Sequence, residues 1–488
     1  MSRPLPENPN LEYLRKEAKA RLRATPGGKL AREQHRLARE YGFDTWAALR
    51  AHVLARGRSP ADAFAAAVQD SDAAEVRALL AGHVSLRQHI DAPLAGAGFG
   101  EHAMLAAVQR SDRATIDVLL EFGAAIGKRT EWWAGGFGVL DECAPEMVEF
   151  LLARGAALDA HSAARLGRLE ALAQLVAEAP ERVSARGGDG QTPLHFAANV
   201  EVARWLLAHG APMDARDLDH ESTPAQYMLR VEQWRRYPRD RQEVARYLVG
   251  RGCQTDLLMA AALGDSDLAR RLLDADANRI RTRVSAEWFP MRDPRAGGTI
   301  YIWKLGRNRS PHAVARDFGH EDLFALLNDR TPEELKLELA CELGDAAIFR
   351  RYLAQHPGAA QALGPRGWRQ LPDAAESNNA AAVVLMLEAG WPPDTPGAMG
   401  ATALHWAAFN GNAEMTREIL RFHPALEQKS VEYPGTPLSW AIFASGNGWR
   451  RDRGDYVGVV TALFAAGAAP PDNATALEPS DAVLEVLP

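Results

Sequence analysis

Apolar residues recur along most of the chain in short blocks with the three- and four-residue spacing of amphipathic helices. The most regular marker in these blocks is an apolar pair followed by two variable residues and a glycine. A left-handed position after a helix favours glycine, which has no Cβ, so each marker predicts a helix that ends there. The marker occurs at Leu119-Leu120 with Gly123, Leu151-Leu152 with Gly155, Leu206-Leu207 with Gly210, Leu248-Val249 with Gly252, Met386-Leu387 with Gly390, and Leu463-Phe464 with Gly467.

Thr or Ser, often followed by Pro, precedes several of these blocks. Thr and Ser are good N-cap residues, and Pro suits the first position of a helix. Each unit is therefore predicted to be a capped short helix, a tight turn, a second helix that ends at Gly, and a polar loop. Instances are Thr192-Pro193-Leu194-His195, Thr402-Ala403-Leu404-His405, Thr223-Pro224, Thr436-Pro437-Leu438 and Ser310-Pro311.

This repeating unit resembles the ankyrin repeat. The stretches that carry the resemblance best are "GQTPLHFAANVEVARWLLAHGAPMDARD" (Gly190–Asp217) and "GATALHWAAFNGNAEMTREILRFHPALE" (Gly400–Glu427). About eleven or twelve units fit between residues 60 and 472. The resemblance implies an all-α ankyrin-repeat solenoid, in which each helix pair buries its apolar face against neighbouring copies.

The N-terminal region does not fit the repeat. "LEYLRKEAKARL" and two segments after it have helical spacing, which predicts a three-helix N-terminal cap. Such a cap resembles the one that precedes the repeats in many uncharacterised bacterial ankyrin-repeat proteins. The predicted organisation is a cap at 1–58, repeats at 59–280, an insertion at 281–310, repeats at 311–472 and a short tail at 473–488.

Three expanded segments interrupt the regular units: Arg230–Gln242, Ser445–Tyr456 and residues 281–310. In the longest of them, "AEWF" and "TIYIW" flank the turn-forming "DPRAGG", which predicts an extended β-hairpin inserted in the array. Insertions in solenoids usually map to one face of the molecule, often the binding face.

Composition and charge narrow the class of protein. With 488 residues the chain is longer than one compact core supports, whereas a solenoid can lengthen by adding repeats. Residues 1–58 carry thirteen Lys or Arg and six Asp or Glu, whereas the remainder carries a net charge of −14. The acidic remainder and the absence of a dense basic stripe argue against nucleic-acid binding. Cys143, Cys253 and Cys341 lie far apart and without a CxxC spacing, as expected for buried thiols in a reducing compartment.

The chain also lacks the marks of export. "MSRPLPENPN" has no apolar core of a signal peptide, and no run approaches 18 apolar residues. We therefore expect a cytoplasmic protein with no membrane association.

The sequence contains none of the common catalytic motifs: no GxSxG, no HExxH and no Walker A. His195 and His405 are the first residues to consider as a general acid, a general base or a metal ligand. Their place in the Thr-Pro-Leu-His motif instead implies, by the resemblance, hydrogen bonds that tie neighbouring repeats together. We predict no catalytic residues, no metal site and no cofactor.

Aromatic residues in the predicted hairpin are candidate partner contacts. Trp288, Tyr301 and Trp303 lie there together with Phe289. These rings either pack on the base of the hairpin or anchor a partner, and both interpretations stay open.

A second candidate set lies in and around the Ser445–Tyr456 insertion. Trp and Arg are typical of interface hot spots, although the aspartates of this loop could instead pair with its arginines. The resemblance adds loop and helix-end positions at which ankyrin units contact partners. The set comprises Trp449, Arg450, Arg451 and Tyr456 from the insertion, and Phe409, Asn410 and Tyr433 from the resemblance.

Two functions are therefore expected. The first is a non-enzymatic scaffold that binds a protein partner through the concave face, loop tips and insertions of the solenoid. The alternative is a small-molecule-binding protein or enzyme with a pocket beneath residues 285–305. A cluster of titratable groups in that position would favour the alternative.

Overall fold

The computed structural model describes residues 3–5, 11–24, 30–57, 59–141, 143–229, 240–471, 474–477 and 479–487. Within these ranges every regular element is helical, and the sole β-type pairing is an isolated bridge between Pro93 and His102. The predicted all-α class is confirmed. The chain forms two compact units, one of residues 58–330 and one that combines residues 1–57 with 331–488.

The unit of residues 58–330 consists of short helices joined by tight turns. They are α4 (Pro60–Gln69), α5 (Ala73–Gly82), α6 (Val84–Gln88), α7 (Ala103–Gln109), α8 (Arg113–Glu121), α9 (Val148–Leu152), α10 (Ala160–Arg165), α11 (Leu169–Glu178), α12 (Pro193–Phe196), α13 (Val200–Ala208), α14 (Pro224–Tyr227), α15 (Gln242–Gly250), α16 (Leu257–Leu263), α17 (Ser266–Ala275), α18 (Tyr301–Lys304), α19 (Pro311–Asp317) and α20 (Glu321–Asp329).

The other unit has three N-terminal and eleven C-terminal helices among its described residues. They are α1 (Leu11–Ala24), α2 (Leu30–Glu40), α3 (Trp46–Gly57), α21 (Lys336–Leu343), α22 (Ala346–Gln355), α23 (Ala359–Ala362), α24 (Gly364–Trp368), α25 (Gln370–Glu376), α26 (Ala380–Glu388), α27 (Ala403–Phe409), α28 (Ala413–Leu420), α29 (Pro437–Asn447), α30 (Tyr456–Ala465) and α31 (Asp481–Leu484). Short 3₁₀ turns across the two units cover Gly98–Gly100, Pro145–Met147, Pro180–Ser184, Gly188–Gly190, Ala277–Arg281, Glu333–Leu335, Ala398–Gly400 and Ala474–Leu477.

The helices pair as the repeat pattern predicts. In the described residues eleven helix–turn–helix pairs of the repeat type pack together, from α4 with α5 to α29 with α30. First helices stack on first helices, as in α25, α27 and α29, and second helices stack on second helices, as in α26, α28 and α30. All six glycines that close the marker pattern have a positive φ, between 89° and 100°. The predicted helix ends are thus confirmed.

The N-terminal helices share a hydrophobic cluster with repeats that are distant in sequence. Their buried Leu14, Leu37 and Leu49 belong to the same cluster as Leu371, Leu404 and other core residues of the 331–488 segment. The sequence offers no signal for this association, because the spacing of apolar residues does not say which partner a helix packs on. The domain boundaries given above stay predictions.

The β-hairpin predicted for residues 281–310 is wrong. No described residue of this segment is in a strand, and the segment holds turns and the short helix α18. Strand-like pairing between the two ends of the segment stops after two backbone hydrogen bonds. One runs from the Val284 N–H to the Arg309 carbonyl, and the other from the Asn308 N–H to the Val284 carbonyl. The "TIYIW" stretch becomes helical because Ile300 N–H binds the Ser222 hydroxyl and Tyr301 is fully buried. Tertiary contacts thus override the β-propensity of this stretch.

Candidate functional site

The loop that contains Trp449 is fixed at both ends. Helix α29 runs from Pro437 to Asn447, and the loop leads from there to Asp455, whose carboxylate accepts the Gly458 N–H at 2.8 Å and caps α30. The Asp455 N–H donates to the Gly411 carbonyl at 2.8 Å, which ties the loop to the turn of the preceding repeat. An insertion held in this way presents its side chains in a defined orientation.

Trp449 stands at the outer end of a column of aromatic rings. Trp406 and Trp440 are buried and meet edge to face, with ring centroids 5.3 Å apart. Phe409, which is half-buried, packs edge to face on Trp440 at 5.6 Å and on Trp449 at 4.6 Å. Trp449 itself is 68% exposed. The column joins a rigid core to a large apolar group at the surface.

A cleft of about 390 Å³ is lined by the same loop. Its lining includes Arg417, Arg450 and Arg453 together with Glu414 and Asp455. In the part of the chain that the structure describes, none of these three guanidinium groups forms an ion pair with a carboxylate. Local pairing, the open alternative for this loop, is limited to a 4.0 Å contact between the exposed Arg451 and Asp452.

A neighbouring loop exposes further apolar side chains. Tyr433 is 65% exposed and Val431 76% exposed. The Tyr433 carbonyl accepts hydrogen bonds from the Ser430 hydroxyl and from the Trp440 indole N–H, so its backbone is held while its ring faces solvent. Exposed large apolar groups on a rigid backbone are typical of an interaction surface.

Three of the predicted partner contacts are buried. Tyr301 is 0% exposed, Asn410 3% and Tyr456 4%. The Asn410 amide donates to the Ala375 carbonyl, and the Tyr456 hydroxyl donates to the Phe409 carbonyl at 2.9 Å. Their side chains hold the fold together and do not reach the surface, so the structure leaves Trp288, Trp303, Phe409, Tyr433, Trp449, Arg450 and Arg451 as the candidate contacts.

The 281–310 segment divides its aromatic rings between core and surface. Phe289 packs edge to face on Tyr301 at 5.2 Å, which matches the packing alternative. Trp288 and Trp303 are 38% and 54% exposed. The segment is held on the loop before α14, where the Gly297 N–H donates to the Asp219 carbonyl at 2.8 Å.

The motif histidines link neighbouring repeats, as the resemblance implies. The Thr192 N–H donates to Nδ1 of His195, so the proton lies on Nε2, which donates to the Ser222 carbonyl at 3.1 Å in the next repeat. His405 makes the equivalent bonds to Thr402 and to the Gly435 carbonyl. Burial lowers the pKa of His195 to about 3 and that of His405 to about 4. Neither histidine is suited to proton transfer near pH 7.

Acidification is expected to weaken the repeats through these histidines. In the unfolded chain His195 has a pKa near the ordinary value of about 6.5, so below that pH the unfolded state takes up a proton that the folded state excludes. From pH 7 to pH 5, His195 should lower the free energy of unfolding by about 2 kcal/mol. Urea unfolding at both pH values should show that acidification lowers the free energy of unfolding less in His195→Gln than in the wild type. An equal decrease in both proteins would contradict the buried neutral state of His195.

The sequence interpretation missed one group of side chains. Asp189 and His220 occupy the same position in two consecutive repeats, three residues before Thr192 and Thr223, and Asp219 lies beside them. No metal or catalytic motif covers these residues, because they are contributed by two loops thirty residues apart. The signal that could have found them is the stacking of repeats, which brings equivalent loop positions side by side.

No described helix has both the length and the apolar character that a membrane crossing requires.

Comparison with known proteins gives three matches. A family model described as "Ankyrin repeat" matches residues 189–218, and one described as "Ankyrin repeats (many copies)" matches residues 371–417. The chain is also similar to "Palmitoyltransferase Hip14" of Drosophila melanogaster, with 30% identity over 118 residues. That match covers 24% of this chain and 17% of the Drosophila protein, so the chain spans a small part of the length of this relative.

Proposed function

The chain belongs to the ankyrin-repeat superfamily, and from this premise we propose that it is a scaffold that binds a protein partner through the Trp449 surface. We define this surface as Phe409, Tyr433, Trp449, Arg450 and Arg451. The observation that carries the proposal is an exposed Trp449 ring supported by Phe409, in a loop whose Arg450 and Arg453 form no ion pair with a carboxylate among the described residues.

The support beneath Trp449 lowers the cost of binding. An interface side chain loses about 0.5–1.5 kcal/mol of rotamer freedom when a partner immobilises it. The 4.6 Å edge-to-face contact with Phe409 restricts the indole before any partner arrives. Trp, Tyr and Arg are the residues that most often dominate binding energy at protein interfaces.

The charge of the cleft indicates the chemistry of the partner. Arg417, Arg450 and Arg453 are offset in part by Glu414 and Asp455, which leaves one positive charge in excess. We propose a partner segment with an apolar side chain over Trp449 and carboxylates that enter the cleft. Arginine pairs with carboxylates through parallel hydrogen bonds, which favours such a group over a neutral one.

Substitution of Trp449 and Arg451 together by Ala should weaken partner binding strongly without unfolding the protein. The loss should reach about 2–4 kcal/mol, a 30- to 1,000-fold weaker Kd, because Trp and Arg dominate the binding energy of interfaces. Both side chains are exposed, and Trp449 packs on the half-buried Phe409, so the fold should tolerate the change. Affinity capture from native extract with the tagged full chain identifies the partner, and titration of the purified partner gives the Kd.

The matched control is Phe99→Ala, an exposed aromatic residue of the other unit that is not among the candidate contacts. It should leave the Kd within a factor of two. If the double variant loses several degrees in melting temperature, the loop is structural and its assignment as an interface fails. If both variants bind equally well, the partner uses another face.

A further inference from the structure

Two neighbouring loop tips in the 58–330 unit bring three ligand-type side chains together. Ligand atoms of Asp189, Asp219 and His220 all lie within 4.8 Å of one another. Asp189 occupies a left-handed position with φ 54°, and its carbonyl accepts the Leu218 N–H at 2.8 Å and the Asp219 N–H at 3.3 Å. These backbone bonds join the loops and hold the two carboxylates near each other.

His220 is oriented as a ligand. Its Nδ1 lies 2.8 Å from the Gly298 carbonyl oxygen, which only accepts, so the proton is on Nδ1 and the neutral ring keeps a lone pair on Nε2. Nε2 lies 3.5 Å from Oδ2 of Asp219, longer than the 2.7–2.9 Å of a charge-assisted hydrogen bond. Metal-binding histidines commonly donate their other N–H to a carbonyl in this way.

Asp219 is buried without full hydrogen bonding. Its side chain is 9% exposed, and its Oδ1 has no hydrogen-bond partner among the residues that the structure describes. Among the described residues, no Lys or Arg forms an ion pair with Asp189 or Asp219. A buried carboxylate oxygen left unsatisfied is costly, and a bound cation would remove that cost.

Asp217 adds negative charge behind the three residues but is already satisfied. Its oxygens accept the N–H groups of His220 and Ser222 and the hydroxyl of Tyr227. The loops therefore concentrate carboxylates that a divalent cation would stabilise in their charged form.

The insertion covers this group. A Cβ added at Gly297 would lie 3.4 Å from the His220 ring and 3.5 Å from Oδ2 of Asp219. The Nε1 of Trp132 is buried beside the Asp189 carboxyl. The group thus lies beneath the 281–310 segment, where the sequence predicted a ligand pocket as the alternative function.

We propose that Asp189, Asp219 and His220 bind a divalent transition-metal cation, with zinc as the best match. Two carboxylates and one imidazole suit zinc, whereas magnesium and calcium prefer oxygen ligands alone. A fourth position would be open to water or to an acidic group of a ligand, as in zinc sites with three protein ligands. This site belongs to the other unit and does not depend on the Trp449 surface.

The test uses the untagged full chain, freed of metal with a chelator and then dialysed. Isothermal titration with zinc chloride should give one site per chain with a Kd of about 1 µM or below, and magnesium chloride should give no comparable binding. Cobalt(II) should give visible absorption bands of a site with a nitrogen ligand. Asp219→Asn and His220→Gln should each weaken zinc binding at least 100-fold and remove the cobalt bands.

The chain supplies its own control at the equivalent loops of the other unit. Met399 corresponds to Asp189, and Glu432 and Tyr433 correspond to Asp219 and His220. Glu432→Gln should leave zinc binding unchanged. Zinc binding that survives both ligand substitutions, or an absence of zinc and cobalt binding by the folded wild-type chain, would overturn the proposal. Circular dichroism confirms that each variant is folded, and the cobalt spectrum of the wild type does not depend on any variant.

Discussion

Replacement of Tyr301 by Ala is expected to lower the free energy of unfolding of the 58–330 unit by about 3–5 kcal/mol. The side chain is fully buried, and its ring packs edge to face on Phe289. Its hydroxyl donates to the Asp256 carboxylate at 2.8 Å, which also caps α16. The substitution therefore leaves a cavity and removes a hydrogen bond from the buried Asp256 carboxylate. Burial already raises the pKa of this group. Urea unfolding followed by circular dichroism measures the loss.

Two variants separate packing from hydrogen bonding at Tyr301. Tyr301→Phe keeps the ring and should lose about 1–3 kcal/mol, the cost of an unsatisfied buried group. Trp303→Ala, on the same short helix but 54% exposed, should change stability by less than about 0.5 kcal/mol. A Tyr301→Ala variant as stable as wild type would mean that the ring is not part of the core.

Replacement of Trp406 by Ala should cost the other unit a similar amount, about 3–5 kcal/mol. Trp406 is 2% exposed and meets both Trp440 and Phe409 edge to face. It forms the inner end of the ring column beneath Trp449, so its removal should also weaken partner binding. Calorimetry gives the stability, and titration with the partner gives the Kd.

Trp406→Phe is the informative comparison. The indole N–H of Trp406 is buried with no hydrogen-bond partner in the described part of the chain, and such a donor costs about 1–3 kcal/mol. Phe removes that donor and keeps a ring, so the two effects should offset each other to within about 1 kcal/mol. A loss as large as that of the Ala variant would show that the N–H finds a partner in solution.

Local signals in the sequence account for much of the fold. The glycine after each apolar pair predicts a helix end, and Gly123 and Gly467 among others have the positive φ that this requires. The Thr of the motif predicts the N-cap seen at Thr192 and Thr402. These features depend on residues within one turn of each other, so they can be derived without knowledge of the tertiary structure.

The insertions depend on contacts that no local pattern contains. "TIYIW" has the composition of a strand, but it becomes a turn and a short helix because Ser222 and Asp256 bind it. The burial of Tyr301 and Tyr456 follows from such distant partners, whereas both were candidate partner contacts, with packing as the open alternative for Tyr301. The Arg230–Gln242 insertion lies almost entirely outside the described residues.

The candidate sites were predictable to different degrees. Trp449 and its arginines were predicted from composition, since Trp and Arg are enriched among the residues that dominate interface binding energy. Asp189 and His220 were not found, because each is an ordinary loop residue until the stacking of repeats places it beside the other. The register of the repeats, counted from Thr192 and Thr223, is what joins them.

The paired loop tips of the two units have the same backbone geometry with different side chains. Val431 N–H and Glu432 N–H donate to the Met399 carbonyl at 2.9 and 3.3 Å, as Leu218 N–H and Asp219 N–H do to that of Asp189. The side chains at these positions can therefore differ while the backbone that presents them stays the same. A few point substitutions at these loop tips could change which ligand they bind, in evolution or by engineering, without any change of fold.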